Sequence, residues 1–354
     1  MAKSIDELQT YQQLMQYFEQ QGRKVNLLLG NGFSIAYDRN IFSYNSLSRY
    51  IMESDDELVK RLFKVYNTQN FETIMQQLRN MVEVLKILNA PDDLCRKVNE
   101  VSEDLKNKLI DAISAMHPEQ VFEVAEEKSK HCAEFLTPYL AKGGNIFSTD
   151  YDLLLYWVLL RNAIDKHVDG FGRDAENLDD GEFIKEDDIE WSELHWGKYR
   201  GIQNVHYLHG ALLLFDEGKD IVKVEYDGYN YLLDIIKKKI DDGSYPIFVA
   251  AGTSDEKLQH IKHNPYLYYC YDSLCKINGS LVVLGFSFGD NDTHIIDAIN
   301  EAGRHGRAGS PNDKLMSVYV GVYSEQDYQH MQDIRGKFHF KMECFDARTA
   351  HIWE

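Results

Sequence analysis

No apolar run in the chain approaches the roughly 18 residues that a membrane-spanning helix needs, so no transmembrane segment is expected. A secretory leader is not expected either, because Met1-Ala2-Lys3-Ser4 passes straight into a polar helical pattern. Cysteine is scarce and scattered. Cys95, Cys132, Cys270, Cys275 and Cys344 are odd in number and contain no CxxC pair. That pattern excludes a disulfide framework and a structural zinc site, and implies a reduced, cytoplasmic protein. Positive charge is in deficit, with 38 Lys and Arg against 57 Asp and Glu and a net charge of -19. A general nucleic-acid binder needs a basic face, so direct nucleic-acid binding is not expected. A local basic pocket for phosphates remains compatible with the composition. Internal repeats, low-complexity tracts and the HExxH or HxxxH spacing of a helical metal site are all missing, so no metal is expected.

What remains is an ordinary globular composition, 44% apolar and 12% aromatic over 354 residues, enough for one large domain or two. Ser4-Ile5-Asp6-Glu7 reads as a capping box, opening a helix with Ile5, Leu8, Met15 and Phe18 on one face and Gly22 at its end. Val25 to Leu29 reads as a buried first strand. Helical spacing then dominates from residue 46 to residue 141, through Phe71, Met75, Leu78, Val82, Val84 and Leu85, then Leu105, Leu109, Ile113 and Met116, then Val121, Val124, Cys132, Phe135 and Leu136. Short apolar runs return at 145–148, 205–208, 246–250, 281–286 and 316–322, alternating with helical patterns at 229–240, 266–277 and 293–302. This predicts an α/β fold, Rossmann-like, with a mainly parallel sheet and a large helical insertion after the first strand. The expected divisions are 1–45 (first helix, strand and glycine turn), 46–141 (helical insertion) and 142–354 (the rest of the α/β domain). Residues 165–195 carry twelve acidic and three basic side chains, and read as an exposed, mobile loop punctuated by Gly170, Gly172 and Gly181.

Four polar motifs follow predicted strands, where ligands of parallel sheets bind. Gly30-Asn31-Gly32-Phe33-Ser34 lets the backbone approach a ligand closely and offers amides to phosphate oxygens, or is an ordinary strand-to-helix turn. It is neither GxGxxG, since Ile35 takes the third glycine position, nor a P-loop. In Ser148-Thr149-Asp150-Tyr151-Asp152, Asp152 reads as the N-cap of the next helix, while Asp150 and Tyr151 lie between strand and helix. In Val205-His206-Tyr207-Leu208-His209-Gly210, His206 reads as a packed or surface residue and His209 as a general-base candidate that can point into a cleft. Gly285-Phe286-Ser287-Phe288-Gly289-Asp290-Asn291-Asp292-Thr293 offers Ser287 and Asp290 to ribose hydroxyls, with Asn291 or Asp292 as an N-cap. Lys257, Lys262 and His263 are basic groups near the same edge, and Asn264-Pro265 reads as a capped helix start.

In this order the motifs resemble the SIR2 family. Its Gly-Ala-Gly-hydrophobic-Ser turn is matched by Gly30 to Ser34, and its Thr-x-Asn-hydrophobic-Asp by Ser148 to Asp152. Its His-Gly is matched by His209-Gly210 and its late Gly-x-Ser by Gly285-Phe286-Ser287. The resemblance covers residues 25–34 and 145–322. It is closest to the SIR2-like NAD hydrolases of bacterial anti-phage defence, because the two CxxC pairs of true deacylases are missing. The resemblance implies a regulated NAD glycohydrolase that releases nicotinamide and ADP-ribose and depletes NAD, with NAD as substrate and no metal. The implied catalytic residues are Asp150 and His209. The implied NAD-binding residues are Gly30, Asn31, Gly32, Phe33, Ser34, Ser148, Tyr151, Asp152, Gly285, Ser287 and Asp290. Control implies a regulatory protein partner, such as a nucleotide-sensing subunit or an ATPase, or a homo-oligomer, with the helical insertion and the acidic loop as contact surfaces. Asp150 stands where the family has Asn, which leaves three readings: a functional carboxylate, a natural non-catalytic binder, or an engineered inactivating change. The alternative function is accordingly a sensor subunit that binds NAD or ADP-ribose without cleaving it. A structural adaptor that has lost its ligand is the third.

Overall fold

In the computed structural model, which describes residues 4–42, 57–66, 71–118, 120–162, 164, 166–176, 189–226, 230–242, 244–249, 252–304 and 314–354, the apolar runs are distributed over two sheets. The strands in chain order are β1 (Gln9–Thr10), β2 (Val25–Leu29), β3 (Ile146–Ser148), β4 (Phe171–Gly172), β5 (His195–Trp196) and β6 (Val205–Tyr207). They continue with β7 (Gly210–Asp216), β8 (Ile221–Lys223), β9 (Pro246–Phe248), β10 (Gly279–Leu284), β11 (Leu315–Val322) and β12 (Lys341–Asp346). Seven form a parallel sheet in the order β1-β12-β11-β10-β2-β3-β6. The fold is therefore α/β and Rossmann-like. Strands β2, β3, β6 and β10 are buried along their whole length, which is why they read as continuous apolar runs rather than alternating ones. Of the few polar residues in these strands, Asn26 donates to the carbonyls of Asn278 and Ser280 and accepts from the Asn145 backbone, stitching the entry ends of neighbouring strands together.

The strand order reverses between β10 and β2. From β2 the chain builds outward through β3 to β6, and the later strands build the other way from β10 to β12. Such a switch point opens a crevice beyond the carboxyl ends of the strands.

Three expectations are corrected. Val25–Leu29 is the second strand, not the first. Leu8 to Thr10 is drawn to the sheet edge, where β1 pairs with Phe345 and Asp346 of β12. Ser4 therefore caps only the short turn Ile5–Glu7, and the helix Tyr11–Gln20 starts later, under a reciprocal cap between Thr10 and Gln13. The run at 246–250 does not join the parallel sheet. It supplies β9 to a second sheet of order β4-β5-β8-β7-β9, whose pairings are antiparallel. The acidic stretch is not simply a loop. β4 pairs with β5 and Ala175 bridges to Trp191, so both flanks are tied down, whereas Gly181 lies outside the described residues.

Between β2 and β3 the described residues contain no strand. The helices Glu57–Tyr66, Phe71–Ile87, Asp92–Met116 and Glu126–Ala141 fill that region. Met75, Leu78, Val82, Leu105, Cys132, Phe135 and Leu136 face the core as their spacing predicts, while Val84 is exposed. The side chains of Phe71, Leu109 and Ile113 lie outside the described residues.

Candidate functional site

The turn after β2 and the turn after β10 are interlocked. Gly32 N–H donates to Gly285 O at 2.9 Å, and Gly30 N–H to Leu284 O at 3.0 Å. A Cβ on Gly32 would come within 2.5 Å of Gly285 Cα, and one on Gly30 within 2.8 Å of Phe286 Cα. Gly285 itself has φ +71, and a Cβ there would come within 2.5 Å of Phe33 N. The glycines of both motifs are thus required by backbone packed on backbone across the switch point. The indole of Trp353 closes the outer side, donating from Nε1 to Phe33 O at 2.9 Å with its ring 5.0 Å from that of Phe33.

The turn after β3 carries two buried carboxyl groups. Ser148 Oγ accepts from Asp150 N–H at 3.0 Å, so Ser148 holds the loop. Ser34 Oγ donates to Asp150 Oδ2 at 3.1 Å. Asp152 was expected as the N-cap of the next helix, but the helix Leu154–Arg161 has Leu153 at that position; Asp152 sits one residue earlier, its Oδ1 accepting from Leu154 N–H at 2.8 Å. Burial pushes the Asp150 carboxyl well above the usual carboxylate range. The neighbouring Asp152 adds to this, and the Ser34 hydrogen bond only partly opposes it. Burial also raises Asp152, against the Ser34 and Leu154 hydrogen bonds. Tyr151 stacks on Phe248 at 4.4 Å and donates from Oη to Val249 O, tying this loop to the second sheet.

His209 follows β6 and Gly210 opens β7 with φ +85, so the chain leaves the parallel sheet at that point. His209 Nε2 lies 3.0 Å from Nε2 of His294, near the start of the helix Thr293–Arg304. Both rings are buried. Burial lowers the His209 ring well below its ordinary value, with His294 and Lys257 adding to the effect. Burial pushes His294 down to about 4, Asp292 opposing and Lys257 assisting. Lys257 is itself 1% exposed and sits with Nζ 2.9 Å from Asp292 Oδ1. Of the two places expected for His206, packed or surface, it takes the packed one, buried in β6 and stacked on Phe147 at 4.7 Å.

These loops surround a cavity of about 860 Å³. Asn31, Gly32, Phe33, Asp150, Tyr151, Asp152, His209, Gly285 and Ser287 line it. Gly30, Ser34 and Ser148 lie behind it, the last two through contacts to Asp150. Asp290 is a correction: its side chain is 94% exposed and paired with Lys337, because the short turn Asp290–Asp292 points it outward. Asp292 takes its place at the wall. Lys257 lines the cavity, whereas Lys262 and His263 are exposed at the far end of the helix Ser254–His263. Asn264 caps the next helix, with Pro265 in its first turn, as the sequence predicts.

Sequence reading missed His294, which hides one residue beyond the last motif, on the buried face of an amphipathic helix. It also missed Arg39, Arg348 and Trp353 in the lining, which no motif announces. His209, Asp292 and His294 offer ligand atoms within 4.8 Å of one another, the one group among the described residues able to share a metal ion. The Lys257 ammonium already neutralises Asp292, and the two imidazoles already bond to each other, so a cation would compete with both.

Fold and site together define a Rossmann-like α/β protein with a ligand-sized cavity at the carboxyl ends of its parallel strands. The family model described as a domain of unknown function (DUF4917) matches residues 27–353, and the chain belongs to that family. No curated protein matches the chain. Among the described residues no helix is long and apolar enough to cross a membrane.

Proposed function

We propose that the chain is an NAD glycohydrolase, converting NAD and water to nicotinamide, ADP-ribose and a proton. The observation that carries this reading is convergence. The four motifs that resemble the SIR2 family lie far apart in sequence, yet all open on one cavity at the strand ends. In this reading the pyrophosphate lies against the Gly30–Ser34 turn with Arg39 and Arg348 at the wall, and the nicotinamide ribose reaches Asp150 and His209. Departure of nicotinamide leaves an oxocarbenium-like ribosyl carbon, water attacks it, and His209 takes the proton that water loses. Fixed dipoles around the ribose stabilise the developing charge.

Asp150 fits the reading because burial and Asp152 favour its protonated form. A neutral carboxyl has the shape of the family asparagine and, like it, a hydrogen to donate. NAD loss is toxic, so the reading includes control by a protein partner or by self-association, in the setting of anti-phage defence.

The test is nicotinamide release from NAD by the parent chain, Asp150→Asn and His209→Ala. The parent and Asp150→Asn are expected to turn over, and His209→Ala to lose about 100-fold or more. Saturable NAD binding without release by either active form would favour the sensor reading. Absence of NAD and ADP-ribose binding would sink both.

A further inference from the structure

Two neutral imidazoles can sit 3.0 Å apart, Nε2 to Nε2, only if one nitrogen carries the proton and the other the lone pair. His294 has a second partner, because Ser254 Oγ lies 3.2 Å from its Nδ1. The same Oγ accepts from the His294 backbone N–H at 2.6 Å, leaving the hydroxyl one lone pair and its own proton for the ring. Ser254 can therefore accept from a protonated Nδ1 or donate to a bare one. The chain Ser254–His294–His209 thus has two arrangements of the same protons. In one, His209 carries hydrogen on Nε2 and its Nδ1 is bare; in the other the assignment is reversed. Nδ1 of His209 has no partner among the described residues and is not sealed off, so it is the ring nitrogen left to the cavity.

We infer that His294 is the relay partner of His209, receiving on its own Nε2 the proton that His209 gives up when its Nδ1 takes one from the cavity. The inference rests on the hydrolase reading and deepens it. Water's oxygen forms the new bond to the ribosyl carbon with one lone pair. The electron pair of the broken O–H bond stays on oxygen, and the proton goes to Nδ1. The Nε2 proton of His209 then crosses to His294 Nε2, whose Nδ1–H is already held by Ser254. His209 ends neutral, and the charge rests on His294. Asp292, from the turn before its helix, favours the charge there, while Lys257 from the helix Ser254–His263 opposes it. His260 on the same helix bears on His209. His294 touches no substrate in this scheme, and is a positioning residue.

The experiment combines nitrogen NMR of the full chain labelled at histidine with steady-state nicotinamide release. It compares the parent, His294→Gln and Ser254→Ala, with His209→Gln assigning the His209 resonances. The glutamine amide can bond to His209 Nε2 but cannot carry the relayed proton. His294→Gln is expected to lower kcat about 100-fold with KM within about twofold, since proton transfer contributes that order. Ser254→Ala, which removes only a hydroxyl, is expected to shift the His209 nitrogen resonances although it does not touch that ring. Unchanged kcat in His294→Gln, or a change in KM alone, would overturn the relay. So would unchanged His209 resonances in Ser254→Ala, a result readable even if the parent releases no nicotinamide and the hydrolase reading has failed. Stoichiometric Zn²⁺ shifting both rings together would make the cluster a cation site and overturn the relay as well.

Discussion

His117 offers a measurable link between the helical region and the loop that carries Asp150. It follows the helix Asp92–Met116 and is fully enclosed, edge-on to Trp157 at 4.6 Å and to Phe42 at 5.6 Å. Its Nε2 accepts from Leu153 N–H at 3.0 Å, beside Asp152, and its Nδ1 donates to Pro118 O at 3.0 Å. The tautomer is fixed, since a backbone N–H can only donate. Burial pushes the ring from 6.5 down to about 4, the Pro118 hydrogen bond opposing. A histidine depressed on folding contributes stability that is complete above the unfolded value and is lost as pH falls through the folded one. The shift corresponds to about 3.4 kcal/mol in full, of which about 2 kcal/mol is lost between pH 8 and pH 5. His117→Gln keeps an acceptor for Leu153 and cannot titrate. The assay is urea unfolding of parent and variant from pH 8 to pH 5. The variant is expected to be less stable at pH 8, yet to lose about 2 kcal/mol less on acidification. His206, His209 and His294 also titrate on unfolding, but they act in both proteins and cancel in the difference. Parallel stability curves would refute the reasoning, because they would mean that His117 charges as readily inside the fold as outside it.

Four further outcomes are expected. Gly285→Ala must enter the left-handed region, at about 1–2 kcal/mol, and also meet Phe33 N, so its soluble yield and melting temperature should both drop. Lys257→Met breaks a buried pair, should cost about 3 kcal/mol in denaturant unfolding, and should let the His209 and His294 rings hold protons at higher pH. Trp353→Phe keeps the ring packing but loses the bond to Phe33 O, a change of about 1 kcal/mol by thermal unfolding. Nicotinamide release by the parent should decline as rising pH ionises the Asp150–Asp152 pair, whose values burial raises, whereas Asp150→Asn should not share that limb; matching profiles would contradict the role given to the Asp150 proton.

The parallel sheet was legible because strands buried on both faces are mostly apolar, as β2, β3, β6 and β10 are, and β11 is too, apart from its exposed Met316 and its serine. The antiparallel sheet was not. β4, β5 and β8 are two or three residues long, and an acidic stretch that dominates its composition separates β4 from β5. The site was legible where chemistry and strand end coincide, as at Asp150 and His209. It failed where the polar residue belongs to the next helix or turn. Asp290 and Asp292 are two residues apart with the same side chain, and only the turn Asp290–Asp292 decides that one points to solvent and the other to Lys257. The glycines of Gly30-Asn31-Gly32 carry a lesson of their own. Their identity is explained by contact with Gly285, a partner more than 250 positions away that no local reading can reveal.

That contact also sets the mechanics of the cavity. Two turns whose backbones interlock without room for a methyl group cannot slide or rotate against each other, so the β2–β10 side acts as a rigid floor. The other walls have separate anchors: the Thr149–Asp152 loop is held by Thr149 N–H on Leu29 O, Leu212 N–H on Tyr151 O and the side chains of Tyr151 and Ser34, and the segment before Trp353 by Tyr11 N–H on Thr349 Oγ1, the Arg348–Asp6 pair and the indole bond to Phe33 O. A change in the width of the cavity therefore has to come from these outer walls, because the floor leaves no room for movement.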